Sequence, residues 1–404
     1  MDAPHSYCDG LRQTRNALTS TGAVMKTMTT VPFFHHDLGS AELESIAKVL
    51  KGPILTTGDT VKEFETSFAK LMGSQHALGV TSCTGALHMS LVALGIGAGD
   101  EVITTPMTFI ATATSIIEAG AKPVLVDCEP DTGNLDAERI ESAISSKTKA
   151  IMPVHLYGQM CDMRRIHAIA QKHNLQVIED AAHCVEGSRD GVRPGELADT
   201  CCFSFYATKN LTCGEGGAVT CNSDELQNKL RLLRTHGMDK TAADRAKEGY
   251  QHWDMVMLGW KYNMDNIQAA ILLPQMDRLE DNFKKRQNLA EYFERKIATI
   301  NGLRTPAMRP DVVHARHLFP ILIDGGRRDH FINGLKARNI GVMVNYRAIH
   351  LLSYFRNSYG YKSGDFPNAE KFGDSILSLP FYPNMPEEHV DIIAEALKEI
   401  AATH

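Results

Sequence analysis

Phe203-Ser204-Phe205-Tyr206-Ala207-Thr208-Lys209-Asn210 is followed closely by Cys213-Gly214-Glu215-Gly216-Gly217. A short apolar run therefore leads to a lysine, and a glycine-rich turn comes next. Glycine lets backbone pass close to a ligand or to another segment. The pattern predicts a buried strand that brings Lys209 to a strand end. An amine there can lose its proton and form a Schiff base with an aldehyde. A solvated lysine is the alternative.

Length and composition describe an ordinary globular enzyme. The 404 residues are 43% apolar and 22% charged, and they suffice for two or three domains. A net charge of -6 gives no sign of nucleic-acid binding or of a basic membrane patch. No apolar run approaches the roughly 18 residues of a membrane span. Nine cysteines without a C-x-x-C pair favour reduced thiols, and we expect a cytoplasmic protein.

Predicted strands and helices alternate from about residue 76 to residue 234. The strands are continuous apolar runs, which indicates an α/β fold with a mainly parallel sheet covered on both faces. A helix is also predicted over residues 135–146. Ligands of such sheets bind at the carboxyl ends of the strands. Four chemically useful side chains follow predicted strand ends: Phe109, His155, Asp180 and Lys209.

The alternation stops after a long helical stretch that begins near Asp265. We therefore predict a flexible tail over residues 1–30, a large domain over 31–270 and a smaller α+β domain over 271–404. The tail lacks an apolar signal core. A strand is predicted over residues 341–345. Arg347 and His350 follow it, and they either hold a phosphate or carboxylate or lie at the surface.

A phosphate site is predicted where the strand over residues 76–80 meets a helix over 86–94. The junction, Thr81-Ser82-Cys83-Thr84-Gly85, combines free N–H groups with a positive helix end. It matches neither the P-loop nor the dinucleotide fingerprint, so a nucleoside triphosphate is not indicated. A helix cap without a ligand is the alternative.

Asp180 ends a buried strand, where a carboxylate is costly unless it meets a cation. That cation is either a basic side chain or a protonated pyridine nitrogen. A lysine, a carboxylate, a phosphate cradle and an aromatic ring together meet the requirements of pyridoxal 5'-phosphate. With that cofactor, the freed amine of Lys209 can move a proton from the Cα of the substrate to the aldehyde carbon of the cofactor. This proton transfer is the central step of transamination.

From about Pro32 to its end, the chain resembles the DegT/DnrJ sugar-nucleotide aminotransferases, which have the aspartate-aminotransferase-like fold (fold type I). Ordered motifs carry this resemblance: Thr56-Thr57-Gly58, Thr84-Gly85-Ala86-Leu87-His88, Glu179-Asp180-Ala181-Ala182-His183, Phe203-Ser204-Phe205 with Lys209-Asn210, Gly214-Glu215-Gly216-Gly217 and Gly259-Trp260-Lys261-Tyr262-Asn263. It implies pyridoxal phosphate as the cofactor and no metal.

The resemblance also implies roles for individual residues. Lys209 is the Schiff-base lysine and Asp180 the pyridinium partner. The remaining cofactor contacts are the stacked ring of Phe109, the phosphate turn of Thr84 and Gly85, the phosphate-binding hydroxyl of Ser204, and His183 near the phenolic oxygen. Asn263, or Lys261 in its place, reaches the phosphate of a neighbouring subunit. That arrangement implies a homodimer with shared sites.

The variant Lys261-Tyr262-Asn263, together with His183, is most similar to the transaminases that make UDP-4-amino-4-deoxy-L-arabinose. The resemblance implies a nucleotide-linked keto sugar as acceptor, aminated at C4, and glutamate as donor. The product would serve a cell-surface polysaccharide or a natural-product glycan. Three alternatives stay open: amination at C3, formation of an aromatic amino acid, and a cofactor-binding regulator without turnover. Lys209 argues against the dehydratase relatives, which carry histidine there.

Overall fold

The computed structural model describes residues 29–240 and 252–403. The predicted tail lies almost wholly outside this part of the chain. No helix in the described ranges is long and apolar enough to cross a membrane.

A mostly parallel sheet forms the centre of the molecule. In the described chain it has seven strands: β1 His76–Val80, β2 Glu101–Thr104, β3 Lys122–Leu125, β4 Thr148–Ile151, β5 Gln176–Asp180, β7 Thr200–Ser204 and β8 Gly217–Cys221. Their order is β1-β8-β7-β5-β4-β2-β3. Strand β8 runs antiparallel to β1 and β7, whereas the other neighbouring pairs are parallel. A short strand outside this sheet, β6 Ser188–Arg189, pairs antiparallel with Val312–Val313.

Both faces of this sheet are buried, as the continuous apolar strands predict. Phe203 packs on one face with Phe64 and Phe68, and Cys202 packs on the other with Leu87. Successive strand residues point to opposite faces, so each must be apolar or small. The helices of this part of the chain are α1 Ser40–Lys51, α2 Asp59–Met72, α3 Cys83–Ala93, α4 Ile110–Glu118, α5 Met163–His173, α6 Asp224–Leu233 and α7 Asn266–Asp277. Helix α1 packs on α7.

A second core lies in the C-terminal part. Its elements are α8 Leu279–Ile297, β9 Leu303–Arg304, β10 Val312–Val313, β11 Phe319–Ile323, α9 Arg328–Lys336, α10 Ser353–Tyr359, α11 Pro367–Ser375, β12 Ile376–Leu379 and α12 Glu387–Ala402. Strands β12, β11 and β9 form an antiparallel sheet that packs in a separate apolar cluster, which also includes Val31. The fold is α/β with a smaller α+β C-terminal domain. We propose that the boundary between the large domain and this smaller domain lies at residue 270.

Three local predictions were wrong. Residues 135–146 form two 3₁₀ turns, Ala137–Arg139 and Glu141–Ala143. The Asp136 carboxylate accepts the N–H of Glu138 there, and such local bonds compete with α-helix. Residues 341–345 are not a strand, because their bonds go to different neighbours: the Gly341 N–H to the Val31 carbonyl and the Met343 N–H to the Ser378 carbonyl. Helix α3 begins at Cys83, three residues before the predicted start.

Candidate active site

A cavity of about 520 Å³ lies beyond the carboxyl ends of β1, β2, β5 and β7. Six of the eight predicted site residues line it: Thr84, Phe109, Asp180, His183, Ser204 and Lys209. Gly85 and Asn263 do not. The cavity also receives residues from the C-terminal part, among them His317, Asn345 and Tyr346. The parallel sheet thus brings together side chains that are far apart in sequence.

Lys209 stands on a tight turn five residues after β7 ends. Its backbone N–H donates to the carbonyl of Tyr206 at 2.9 Å, and Phe205 pairs with the glycine turn through the Gly216 carbonyl at 2.8 Å. Burial lowers the pKa of Lys209 to about 8, although the carboxylate of Asp180 opposes the shift. The amine is therefore partly unprotonated near neutral pH, as a nucleophilic amine must be.

Asp180 is 5% exposed and is held in one orientation. One carboxylate oxygen accepts the hydroxyl of Thr112 at 2.8 Å, and the other accepts the N–H of Ala182 at 3.1 Å. Burial raises the pKa of the carboxyl, and these two bonds act against that shift. In the described chain no basic side chain forms an ion pair with Asp180, so its carboxylate remains available for a cation that enters the cavity.

The start of α3 forms one wall of the cavity. The Ser82 hydroxyl accepts the N–H of Gly85 at 3.0 Å, while the N–H groups of Cys83 and Thr84 lie in the first turn and have no partner inside the helix. A Cβ on Gly85 would lie 3.3 Å from the ring of Tyr262, so glycine serves packing at this position. The hydroxyl of Ser204 lines the same cavity. Hydroxyls and a helix start suit a phosphate.

His183 is a neutral hydrogen-bond donor. Its Nδ1 accepts the N–H of Tyr157 at 3.1 Å, so the ring proton resides on Nε2, which lies 3.2 Å from the Tyr346 hydroxyl. Burial holds the pKa of His183 well below its usual range. A neutral Nε2–H in a cavity can donate to a phenolic oxygen.

Phe109 supplies an aromatic surface at the cavity. Its ring is 53% exposed, and its centroid lies 5.6 Å from that of Tyr346. It occupies the residue before α4, so the helix fixes its position. An exposed ring beside a charged, polar floor can stack on a planar ligand.

Three residues that the sequence singled out do not line the cavity: His155, Arg347 and His350. His155 is fully buried and bonds Glu179 at 2.8 Å behind the cavity. Arg347 lies at the surface, one of its two predicted places, whereas His350 is buried and its Nε2 lies 3.0 Å from a Glu370 carboxylate oxygen. Neither lines the cavity.

Asn263 is buried outside the cavity, and its amide is engaged on both sides. The Lys261 amine donates to its oxygen at 2.6 Å, and its nitrogen donates to the Thr57 hydroxyl at 2.7 Å. Lys261 itself is exposed. Of the two residues, Lys261 is the one that lies at the surface.

Sequence reasoning missed three residues of this site. Thr112 holds Asp180 from within an apolar helix, and nothing in the local pattern marks it. His317 and Tyr346 come from the C-terminal part, where no motif was recognised. The amine of Lys209 lies 3.3 Å from Nε2 of His317.

The sequence model of the DegT/DnrJ/EryC1/StrS aminotransferase family matches residues 36–398. The chain belongs to this family. The aminotransferase is 42% identical to the spore coat polysaccharide biosynthesis protein SpsC of Bacillus subtilis strain 168, over 90% of this chain and 95% of SpsC. An uncharacterized protein of Methanocaldococcus jannaschii, MJ1066, is also 42% identical, over 92% of this chain and 98% of its own.

Solved structures of similar proteins agree with the fold. DesV of S. venezuelae, crystallised with a ketimine intermediate, has a TM-score of 0.83 at 33% identity, covering 90% of this chain and 95% of DesV. Spr1654 of Streptococcus pneumoniae, described as a sugar aminotransferase and solved in its PMP form, has a TM-score of 0.87 at 30% identity, covering 92% and 99%. The aminotransferase therefore has the fold type I architecture and depends on pyridoxal phosphate.

The described residues fit this cofactor. An amine, an unpaired buried carboxylate, an exposed ring and a helix start line one cavity. When bound, the cofactor supplies an electron sink that acidifies a carbon-bound proton of the substrate. Lys209 would bind its aldehyde and later carry that proton. Asp180 would keep the ring nitrogen protonated, and His183 would donate to the phenolic oxygen.

Proposed function

We propose that the aminotransferase transfers the amino group of glutamate to a nucleotide-linked keto sugar, at C4 of the sugar ring. The observation that carries the choice of a sugar substrate is the 42% identity with SpsC over nearly the full length of both chains, because SpsC is described as a protein of spore coat polysaccharide biosynthesis. The position C4 rests on the resemblance carried by Lys261-Tyr262-Asn263 and His183, and glutamate rests on the family resemblance. The PseC aminotransferase of Helicobacter pylori, which takes part in pseudoaminic acid biosynthesis, supports it with a TM-score of 0.86. The product would enter a cell-surface polysaccharide or a natural-product glycan.

The site residues have these roles in the proposal. Lys209 bonds the cofactor and Asp180 pairs with its ring nitrogen. The other contacts are Phe109 on the ring face, His183 at the phenolic oxygen, and Thr84, Gly85 and Ser204 at the phosphate. The cavity volume of about 520 Å³ lies within the usual range for small-molecule sites, roughly 300–1,000 Å³, so it can admit part of a sugar as well as the cofactor.

We further propose a homodimer in which each subunit completes its neighbour's site. Lys261 is exposed, and the segment before it presents three apolar side chains to solvent: Met255, Val256 and Leu258 are 53%, 54% and 69% exposed. Clustered apolar exposure of this kind supports a subunit contact. Asn263 would hold Lys261, whose amine would meet the partner's phosphate.

A cytoplasmic location is also a proposal. The eight cysteines of the described residues are all buried and free, which suits a reducing compartment.

The experiment that tests the reaction is a profile of nucleotide-linked keto sugars with glutamate, with the aminated carbon identified by NMR. We expect an amine at C4 and formation of 2-oxoglutarate. An amine at C3 would contradict the regiochemistry, and an aromatic amino acid as sole product would contradict the sugar. A cofactor absorption band that persists with every amino donor would indicate a regulator without turnover.

A further inference from the structure

His317 lies beside Lys209 at the cavity floor. Its Nε2 is 3.3 Å from the lysine amine, and its ring is 6% exposed. The ring also packs on His183, with centroids 4.6 Å apart. The residue precedes β11, so it reaches the catalytic turn from the C-terminal part of the molecule.

The imidazole of His317 is neutral in this setting. Burial holds the pKa of His317 well below its usual range, and the positive charges of Lys209 and Arg286 act in the same direction. Of the acids nearby, Glu186 pairs with Arg286, and Asp180 faces Lys209. A lysine ammonium has three donors and no acceptor, so Nε2 of a neutral imidazole must accept from it. The ring proton is then on Nδ1, which is buried without a protein partner in the described chain.

A second contact connects the turn that carries Lys209 to the segment before His317. The Asn210 amide donates to the carbonyl of Ala315 at 3.0 Å and to Glu186 at 2.9 Å. Glu186 in turn pairs with Arg286 of α8. Residues 315–317 therefore contact both Lys209 and its successor, which fixes the imidazole relative to the amine.

We propose that His317 is a positioning residue that holds the amine of Lys209 whenever that amine is not bonded to the cofactor. Lysine has a flexible four-carbon stem, and an unheld amine would sample several rotamers. The bond to Nε2 directs it into the cavity and stabilises its protonated form. The proposal rests on the role proposed above for Lys209, and it is independent of the sugar and of the amino donor.

The test measures how fast cofactor-free protein captures pyridoxal phosphate, from the growth of the visible absorption band across a pH series. His317→Phe removes the acceptor, and His317→Gln keeps one in its side-chain carbonyl. Thermal melting checks that each variant folds. His317→Leu, which also lacks an acceptor, replaces the phenylalanine variant if that protein does not fold.

In the wild type the capture rate should be half-maximal near pH 8, where Lys209 titrates. Loss of the acceptor disfavours the ammonium form of Lys209, so His317→Phe should lower the pH midpoint of capture by roughly one pH unit. The midpoint of His317→Gln should stay within about 0.3 pH units of the wild-type midpoint. Equal midpoints in all three proteins, or equal shifts in both variants, would overturn the proposal. A wild type that captures no cofactor would instead refute the role of Lys209.

Discussion

At the scale of single residues, Asp180 and Lys209 are ionisable side chains that are buried even when no cofactor is bound. Burial raises the pKa of Asp180 and lowers that of Lys209, so the cofactor-free protein disfavours the charged form of each group. A protonated ring nitrogen would relieve the first cost, and a covalent bond to the amine would remove the second. The unfavourable charges of the empty site therefore favour binding of the cofactor.

Replacement of Asp180 by Asn should separate cofactor binding from catalysis. The amide keeps the shape of the side chain but cannot keep the ring nitrogen protonated, so we expect some bound cofactor and a rate about 10²- to 10³-fold lower. Single-turnover spectroscopy with an amino donor measures that rate. Thr112→Val, which removes one bond to the carboxylate but leaves its charge, is the matched control and should lose less than about tenfold. An unchanged rate in Asp180→Asn would mean that the carboxylate is structural.

At the scale of elements, the start of α3 is held against β8. A Cβ on Gly217 would lie 2.5 Å from the Ser82 carbonyl carbon and 2.6 Å from the Cys83 nitrogen. Because both of these atoms belong to the backbone, the helix start itself would have to move. The glycine-rich turn after Lys209 therefore also sets the position of the wall that would bind the cofactor's phosphate.

Gly217→Ala should weaken binding of pyridoxal phosphate about tenfold or more, since it displaces the N–H groups at the helix start. Binding of pyridoxal, which lacks the phosphate, should change far less. Titration of the cofactor-free protein with each compound measures both affinities. Gly39→Ala, where an added Cβ meets nothing within 4 Å, controls for the loss of a glycine. An equal loss for both compounds would show general misfolding rather than a displaced phosphate site.

The sequence predicted the elements whose signals are local. Continuous apolar strands and the turn after β1 indicated the parallel sheet and the edge at which the cavity lies. Residues 135–146 have helical spacing, but the local bond of Asp136 favours 3₁₀ turns instead. His317 and Tyr346 reach the cavity through the packing of the C-terminal part, and no local pattern reports a contact across more than a hundred residues.

At the scale of the whole molecule, Lys261 is exposed and does not line the cavity of its own chain. If its amine meets the partner's phosphate, each site draws on two subunits. An active site of that kind can be restored by mixing two defective chains.

Lys209→Ala chains should be inactive, and Lys261→Ala chains should lose about 10- to 100-fold through the missing charged bond. Co-expression of the two should yield mixed dimers in which one of the two sites is intact, so purified mixed dimers should recover about half of the wild-type activity. The assay compares purified mixed dimers with each parent. Mixed dimers no more active than their parents would contradict a shared site.

The central claim is that the cofactor is bonded to Lys209. Reduction of the reconstituted protein with borohydride, followed by proteolysis and peptide mass spectrometry, tests it most directly. We predict a reduced pyridoxyl phosphate group on the peptide that contains Lys209 and its absence from that peptide in Lys209→Ala. A label on another lysine of the wild type, or no stable label after reconstitution, would contradict the account.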